Sequence, residues 1–380
     1  MKPKRILALD GGGICGVFSL KVLQRIEQLF RERYPAKPGE PEVKLRDVFD
    51  FFAGTSTGAI IATFLAWGKT VDEVLELYAG RGAEMFAPAP WYERFWKAKF
   101  RAETITEFFR TNFVEDDEKP TPALLGTGRL RTKDGTLKYL MAVMRDASTG
   151  SAWPVTNNPQ AMYNDRSRPD CNLNIPLWQL LRASTAAPTY FPPEEIKLGD
   201  QTHIFVDGGI TPYNNPALIA ALTATLPCYR IGWPTGRDRL QVVSVGACST
   251  RTRLKKDKAR QVHKLDFLQF IAPAFLGTVA MEQDLLCRVL GDCVFGAALD
   301  SELGPLPGTD DGLLARAEKK FTYVRYDKHF TSAEVAAIEQ ATGQRFDLDN
   351  LKLVGPLQEI GEAYAREYVK PEHLFPPGID

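Results

Sequence analysis

The sequence lacks a long apolar run, and it carries no net charge. No stretch approaches the roughly 18 consecutive apolar residues that a membrane span requires, and 47 lysines and arginines balance 47 aspartates and glutamates over 380 residues. Residues 1–5 lead directly into a short apolar strand instead of the apolar core of a signal peptide. We therefore expect a soluble, cytoplasmic protein. The balanced charge argues against a general affinity for DNA or RNA.

Histidine and cysteine are scarce, and their positions argue against several common kinds of site. None of the four histidines stands in a context that marks it as the base of a Ser-His-Asp triad, and His263 and His329 stay open as alternatives. The six cysteines include no CxxC pair, which argues against a zinc site and a disulfide framework, so we expect reduced thiols. No internal repeat or low-complexity tract is present. We expect neither a metal nor a cofactor.

A glycine-flanked serine is the feature around which the rest of the chain is arranged. Residues 49–53 have the apolar character of a buried strand, Gly54-Thr-Ser56-Thr-Gly58 follows, and a small-residue apolar segment of helical character comes next. This order is typical of a nucleophile elbow, in which a sharp turn exposes the serine hydroxyl and leaves room only for glycine two residues away on either side. The alternative is a loop rich in glycine, serine and threonine that joins a strand to a helix.

A second glycine-rich turn follows the first predicted strand. Asp10-Gly-Gly-Gly and Gly16 stand between the apolar residues 5–9 and a segment with helical spacing at residues 17–33. Backbone amides in such a turn can bind an anion. The glycine spacing matches a dinucleotide-binding motif, but the acidic residue expected about 20 positions later on a second strand is missing, and no P-loop lysine follows. The remaining candidates are an oxyanion formed when Ser56 attacks a carbonyl group and a purely structural turn.

Asp207 is the candidate base for Ser56. Residues 203–210 have the pattern of a short strand that ends in Asp207 and is followed by Gly208 and Gly209. An acid at the carboxyl end of a strand can face the crevice beside a parallel sheet and take the serine proton directly. A turn-forming Asp-Gly is the alternative interpretation.

Strands and helices alternate along the chain. This alternation predicts an α/β fold with a mostly parallel central sheet that is covered by helices on both faces. No clear linker divides the sequence. We expect a catalytic core over residues 1–250 and a mainly helical cap or regulatory extension over residues 251–380, on the same body.

Two stretches have compositions that suit lipid or phosphate surfaces. Residues 85–101 interleave aromatic side chains with Lys97, Lys99 and Arg101, which suits a bilayer surface, while packing of the aromatics into the core is the alternative. Residues 251–260 form a strongly basic run, which is either a solvated loop or a contact for phosphate on a lipid or nucleotide.

Four motifs together resemble the patatin-like phospholipase family. They are the Asp10-Gly-Gly-Gly turn, the Ser56 pentapeptide, residues 183–192 with the sequence ASTAAPTYFP, and Asp207-Gly-Gly, in this order. The resemblance covers residues 5–217, roughly, and implies a three-layer α/β/α sandwich.

The resemblance also implies the roles of individual residues. Ser56 would be the nucleophile and Asp207 the base of a Ser-Asp dyad that releases fatty acid from membrane phospholipid. Gly11, Gly12 and Gly13 would form the oxyanion hole. Such an enzyme would be a phospholipase A that contacts the inner membrane peripherally when active.

One position departs from the family pattern, and one group of relatives suggests regulation. The family usually has a basic residue where this chain has Cys15, so a cation near the oxyanion loop is missing. Bacterial members of similar length resemble anti-phage effector phospholipases switched on by cyclic oligonucleotides. The region after Gly246 would then bind a cyclic dinucleotide or form the homodimer contact that responds to it. A nucleotide-dependent oxidoreductase and a non-catalytic lipid- or nucleotide-binding protein are the alternatives.

Overall fold

We describe a computed structural model of the chain at residues 2–85, 100, 102–116, 118, 120–250, 264–307, 312–347 and 349–379. The strands are β1 (Lys4–Leu9), β2 (Phe51–Thr55), β3 (Tyr139–Asp146), β4 (Ser151–Thr156), β5 (Glu194–Leu198), β6 (Gln201–Asp207), β7 (Leu240–Val245), β8 (Ser249–Thr250), β9 (Asp292–Phe295), β10 (Thr322–Tyr326) and β11 (His329–Phe330). The helices are α1 (Gly16–Arg33), α2 (Leu45–Val48), α3 (Thr57–Trp67), α4 (Val71–Met85), α5 (Ala102–Asn112), α6 (Leu177–Ser184), α7 (Ala217–Thr225), α8 (Lys264–Leu290), α9 (Ser332–Thr342), α10 (Val354–Tyr368) and α11 (Pro371–Leu374).

A nine-stranded sheet forms the centre of the described structure. Its order is β5-β6-β3-β2-β1-β7-β10-β9, and β4 pairs with β3 outside this path. The pairs from β3 through β2, β1, β7 and β10 to β9 are parallel, whereas β4, β5 and β6 are joined by antiparallel pairing. The predicted α/β fold with a mostly parallel sheet is therefore confirmed.

Helices cover both faces of this sheet. Leu7 and Leu9 of β1 pack on one side in a core that includes buried residues of α1, α3, α6 and α10. Ile6 and Ala8 point to the other side, where the core includes residues of α7 and the end of α8. Alternate side chains of one strand are thus buried on opposite faces, which explains why β1 reads as a continuous apolar run. The layers form the expected α/β/α sandwich.

The sheet continues across the predicted boundary at residue 250. β10 pairs with β7, and β9 pairs with β10 at the edge, so residues 251–380 contribute two strands of the main sheet as well as helices. This region was predicted to be mainly a helical cap. Its part in the sheet follows from long-range pairing, which the local pattern of a five-residue strand does not specify.

Three helices show where local sequence patterns predict helix structure and where they do not. Thr331 and Glu334 exchange hydrogen bonds at the start of α9, as their spacing predicts. The pair Asn215-Pro216 predicts an N-cap and a first helical residue; Asn215 caps the amide of Ala217, and α7 begins at Ala217, one residue later than predicted. The helical spacing of residues 265–290 is interrupted by Pro273, which predicts a break there, whereas α8 continues through Pro273.

Some predicted surface features lie outside the described residues. These include residues 86–99 and Arg101 of the aromatic stretch and the whole basic run at residues 251–260. Within the described parts of the chain, every helix is too short or too polar to cross a bilayer.

One edge of β3 places the two predicted catalytic residues side by side. β4 occupies one edge of β3 along residues 141–146, and β2 occupies the other edge as far as the Thr55–Val143 pair. β6 runs antiparallel to β3 along the edge that β2 occupies, and its pairing begins one residue further along β3, where Asp207 pairs with Met144. The ends of β2 and β6 therefore meet head to head.

Candidate active site

The sequence around Ser56 forms the sharp strand-to-helix turn that its flanking glycines predict. β2 ends at Thr55, Ser56 has φ 53° and ψ −124°, and α3 begins at Thr57. A positive φ is uncommon for a residue with a side chain and indicates backbone strain at this turn. Ser56 is partly exposed, whereas β2 is buried throughout. The strained turn therefore presents the serine hydroxyl at the edge of the sheet.

The two flanking glycines lie directly against backbone atoms. A Cβ atom added to Gly54 would overlap the carbonyl group of Gly58, and one added to Gly58 would overlap the carbonyl group of Leu9. Side-chain rotation cannot relieve either overlap, because the neighbouring atoms are backbone. Gly54 and Gly58 thus allow α3 to approach β1 and β2 closely enough to form the elbow.

Replacement of Gly58 by alanine is expected to destabilise the protein and to reduce its activity. The added methyl group must push α3 away from Leu9, which lowers the free energy of unfolding by about 1–3 kcal/mol and displaces Ser56. Denaturant unfolding measures the loss. Gly355→Ala on α10 is the control, because nothing lies within 4 Å of its added Cβ and alanine favours a helix by up to about 1 kcal/mol. Equal stabilities of the two variants would contradict this account.

Ser56 and Asp207 form a direct hydrogen bond. The Ser56 Oγ donates to Asp207 Oδ2 over 2.7 Å, and the other carboxylate oxygen accepts the amide of Gly209 over 2.6 Å. The hydrogen bond from Gly209 fixes the orientation of the carboxylate, with Oδ2 toward Ser56. This is the geometry that a serine nucleophile with a carboxylate base requires.

Burial adjusts the basicity of Asp207. Removal from water raises the pKa of Asp207 to about 6, while the hydrogen bonds from Ser56 and Gly209 and the charge of Arg182 oppose the rise. Arg182 is itself fully buried, and its Nη2 donates to the Pro192 carbonyl oxygen. A carboxylate with a pKa near 6 is ionised at neutral pH and is a stronger base than an ordinary aspartate.

We expect hydrolytic activity to depend on the ionisation of Asp207. Because the base must be unprotonated, kcat/KM should rise with pH through about pH 6 and decline below it. A pH profile at two temperatures identifies the group, since the pKa of a carboxyl group changes little with temperature whereas that of an imidazole falls. A midpoint that shifts clearly downward on warming would assign the base to a histidine instead.

The described histidines have partners away from Ser56. His203 contacts Asp146 over 2.8 Å, and His329 contacts Ser249 over 2.6 Å. His373 lies 3.1 Å from the hydroxyl of Tyr326. None of these three histidines contacts Ser56, and His263 lies outside the described residues. In the part of the chain that the structure describes, Asp207 is therefore the candidate base that contacts Ser56.

The glycine loop presents two free amides beside the serine. The Gly11 amide donates to the Asn214 carbonyl oxygen over 3.3 Å, so it is already engaged. Within the described residues, the amides of Gly12 and Gly13 have no hydrogen-bond acceptor. Gly12 and Gly13, with the amide of Thr57 at the start of α3, are therefore the donors available to an oxyanion, and Gly11 serves as the anchor of the loop.

Two hydroxyl groups hold the far end of this loop. Thr57 Oγ1 and the Tyr78 hydroxyl donate to the Gly13 carbonyl oxygen over 2.9 and 3.0 Å. Gly13 has φ 57°, a conformation that favours glycine. The sequence analysis assigned no role to Tyr78, because its distance along the chain hides the contact.

Comparison with known proteins decides the family. The family model described as "Patatin-like phospholipase" matches residues 7–221, more than half of the chain, and this range includes the glycine loop, Ser56 and Asp207. The chain belongs to the patatin-like phospholipase family.

Similar proteins come from bacteria and from an animal. A "cGAMP-activated phospholipase" of Escherichia coli is 27% identical over 224 residues, which cover 58% of this chain and 56% of that protein. One of the same name from Vibrio cholerae is 31% identical over 219 residues, covering 57% and 56%. The 85/88 kDa calcium-independent phospholipase A2 of Rattus norvegicus is 30% identical over 227 residues, covering 57% and 23%. The chain thus spans little more than half the length of the bacterial relatives.

Ser184, in the third motif of this patatin-like chain, contacts the elbow, although the sequence analysis gave it no role. Ser184, at the end of α6, accepts the Ser56 amide over 3.0 Å and donates to the Val143 carbonyl oxygen over 2.6 Å. It thereby ties the strained elbow to β3. The Ser-Thr-Ala-Ala-Pro sequence that follows Ala183 was the only signal that could have indicated this contact.

Cys15, where the patatin-like pattern usually has a basic residue, lies inside the protein. It is 1% exposed, and its amide donates to the Gly12 carbonyl oxygen over 3.1 Å. No cation is supplied to the oxyanion loop from this position. Because the thiol is buried beneath the loop, it is not placed to react with substrate.

Proposed function

We propose that the protein is a lipid acyl hydrolase of the phospholipase A type that uses a Ser56–Asp207 dyad to cleave fatty acyl esters of membrane phospholipids. The observation that carries this proposal is the 2.7 Å hydrogen bond between the Ser56 hydroxyl and the Asp207 carboxylate, at a strained elbow with free amides beside it. Membership of the patatin-like phospholipase family supports the substrate class.

The dyad can carry out acyl transfer in two balanced steps. Asp207 takes the hydroxyl proton while Ser56 Oγ attacks the ester carbonyl carbon, and the proton passes to the departing oxygen of the lysophospholipid. A water molecule then attacks the acyl-Ser56 ester. Asp207 takes its proton and returns it to Ser56 Oγ, so free fatty acid leaves and the enzyme is restored.

The loop amides would stabilise the negative charge that both steps create. Gly12, Gly13 and Thr57 would donate to the carbonyl oxygen as it becomes an oxyanion, and the loss of one such donor typically costs about 3 to 4 kcal/mol. None of these steps routes a proton or a charge through a metal. The rat relative is named as a calcium-independent phospholipase A2, which accords with such a scheme.

We also propose that a cyclic dinucleotide switches the enzyme on, in anti-phage defence. The support is that two bacterial relatives are named cGAMP-activated phospholipases. We place the activator site, or a homodimer contact that responds to it, in the region after Gly246. Activation would bring the cytoplasmic protein into peripheral contact with the inner membrane, with no role for DNA or RNA.

Fatty-acid release from phospholipid vesicles tests both parts of the proposal. The wild-type protein is assayed alone and with each member of a panel of cyclic dinucleotides that includes cGAMP. We expect release with at least one panel member and little release without it. Equal release in all conditions would remove the switch and keep the lipase. No release in any condition from folded protein would contradict the lipase and favour a lipid- or nucleotide-binding role.

A further inference from the structure

A buried arginine from the last third of the chain binds the first residue of the glycine loop. Arg325 Nη1 and Nη2 donate to the two carboxylate oxygens of Asp10 over 2.8 and 2.6 Å. The same guanidinium donates to Ser244 Oγ and to Asp327 Oδ2, each over 2.7 Å. Arg325 is 3% exposed and Asp10 6% exposed. Asp10 is therefore held by a two-point, charge-assisted contact away from water.

The sheet register explains how this contact forms. Ser244 of β7 pairs with Ala8 of β1 on one side and with Arg325 of β10 on the other. Arg325 therefore starts two strands from β1, about 10 Å away at the usual strand spacing. A long side chain that extends across β7 toward the carboxyl ends of the strands can reach Asp10. Arginine also has the planar guanidinium group that can bind both oxygens of a carboxylate.

Asp10 is the point where β1 ends and the oxyanion loop begins. Its amide donates to the Val245 carbonyl oxygen over 3.1 Å, and the next amide, of Gly11, is held by Asn214. We propose that Arg325 is a positioning residue of the active site, which holds Asp10 so that the amides of Gly12 and Gly13 face the oxyanion. The proposal rests on the proposed function. Arg325 acts through Asp10 and does not touch the substrate.

The loop is then fixed at both ends by side chains from distant parts of the chain. Arg325 holds the Asp10 end, while Thr57 and Tyr78 hold the carbonyl group of Gly13. Two free amides lie between these anchors. A loop clamped in this way keeps its donors in place, which matters because a misplacement of about 1 Å can cost about 100-fold in rate.

The position of Arg325 gives the last third of the chain a direct contact with catalytic machinery. Arg325 lies beyond residues 7–221, which the family model matches. Its second carboxylate partner, Asp327, exchanges backbone hydrogen bonds with the Tyr364 hydroxyl on α10 over 3.2 and 3.1 Å. A chain of contacts therefore runs from α10 through Asp327 and Arg325 to Asp10.

Matched substitutions at two buried arginines test the proposal. Arg325→Lys keeps the charge but loses the two-point contact with Asp10. Arg288→Lys is the control, because Arg288 is 2% exposed and makes a two-point contact with Asp284 on α8, without contact to the glycine loop. In vesicle assays with cGAMP, we expect kcat to fall at least about tenfold in Arg325→Lys with KM changed less than about threefold. In Arg288→Lys kcat should stay within about twofold of wild type, even though thermal unfolding shows a similar loss of stability.

A double-variant comparison separates positioning from general damage. Asp10→Asn should reduce kcat as much as Arg325→Lys, and the combined variant should be no worse than the poorer single variant, because both changes break one contact. Additive losses in kcat would indicate independent structural effects and overturn the proposal. So would an Arg325→Lys variant with wild-type kcat, or an Arg288→Lys variant as impaired as Arg325→Lys.

Hydrogen–deuterium exchange tests the positioning without any hydrolysis. The peptide that contains Gly11–Gly16 should exchange faster in Arg325→Lys than in wild type and should be unchanged in Arg288→Lys. Equal exchange in all three proteins would overturn the role of Arg325. If the peptide exchanges faster in Arg325→Lys but the wild-type protein shows no lipase activity, the positioning role stands and the proposed function is contradicted.

Discussion

Replacing Ser56 by alanine is expected to lower fatty-acid release from phospholipid vesicles by at least about 10⁴-fold, because the proposed nucleophile is removed. Alanine keeps the Cβ atom that the elbow already accommodates at φ 53°. The thermal unfolding midpoint should therefore stay close to that of wild type. Fatty-acid release by both proteins is measured at equal concentration, with the member of the cyclic-dinucleotide panel that gives the greatest release from wild type.

A second serine provides the control for this substitution. Ser332 is exposed at the start of α9, where Thr331 supplies the cap. Ser332→Ala should leave release within about twofold of wild type, because exposed substitutions away from special features have small effects. Residual release by Ser56→Ala at a tenth of the wild-type rate or more would show that another group carries the chemistry.

Replacing Asp207 by asparagine is expected to reduce kcat by about 10³–10⁴-fold, since general-base catalysis contributes up to that amount. An asparagine can keep the contact with the Gly209 amide through its oxygen and place its amide nitrogen against Ser56 Oγ. The hydrogen bond then runs in the wrong direction, and the side chain cannot accept a proton. Single-turnover assays of fatty-acid release at pH 8 measure the loss.

The stability of the Asp207→Asn variant distinguishes lost chemistry from lost structure. Burial raises the pKa of Asp207 to about 6, above its value in the unfolded chain, so ionisation of this carboxyl disfavours the folded state as pH rises through 6. The neutral asparagine avoids that cost, and at pH 8 the variant should be at least as stable as wild type. Asp200→Asn, in the exposed turn before β6, is the control and should change neither activity nor stability. A marked loss of stability in Asp207→Asn, or of activity in Asp200→Asn, would contradict the assignment.

The glycine turn around Ser56 and the strand end at Asp207 could be predicted because their sequence signals are local. Gly54 lies against Gly58 within the turn itself, although Gly58 also lies against Leu9 of β1, and Asp207-Gly-Gly follows from the end of one strand. The contact between Ser56 and Asp207 was predicted only because a serine nucleophile requires a base nearby. The structure provides its cause, which is the shared edge of β3.

The residues that support the site could not be predicted in the same way. Ser184, Tyr78 and Arg325 lie 128, 65 and 315 positions from the residues they hold. Their partners are set by strand order and helix packing, and a single sequence does not encode either as a short pattern. The sequence analysis also included Gly11 among the oxyanion donors. In the structure the Gly11 amide donates to the carbonyl oxygen of Asn214, a contact between distant segments that the sequence does not indicate.

Covalent labelling of the nucleophile tests the central claim most directly. Wild-type protein, Ser56→Ala and Asp207→Asn are treated with a fluorophosphonate, which phosphonylates an activated serine with loss of fluoride, and the modified peptide is identified by mass spectrometry. The account predicts one adduct on Ser56 in wild type, none on the Ser56→Ala protein, and labelling at least about 100-fold slower in Asp207→Asn. An adduct on a different residue, or labelling of Ser56 at the wild-type rate without Asp207, would contradict it.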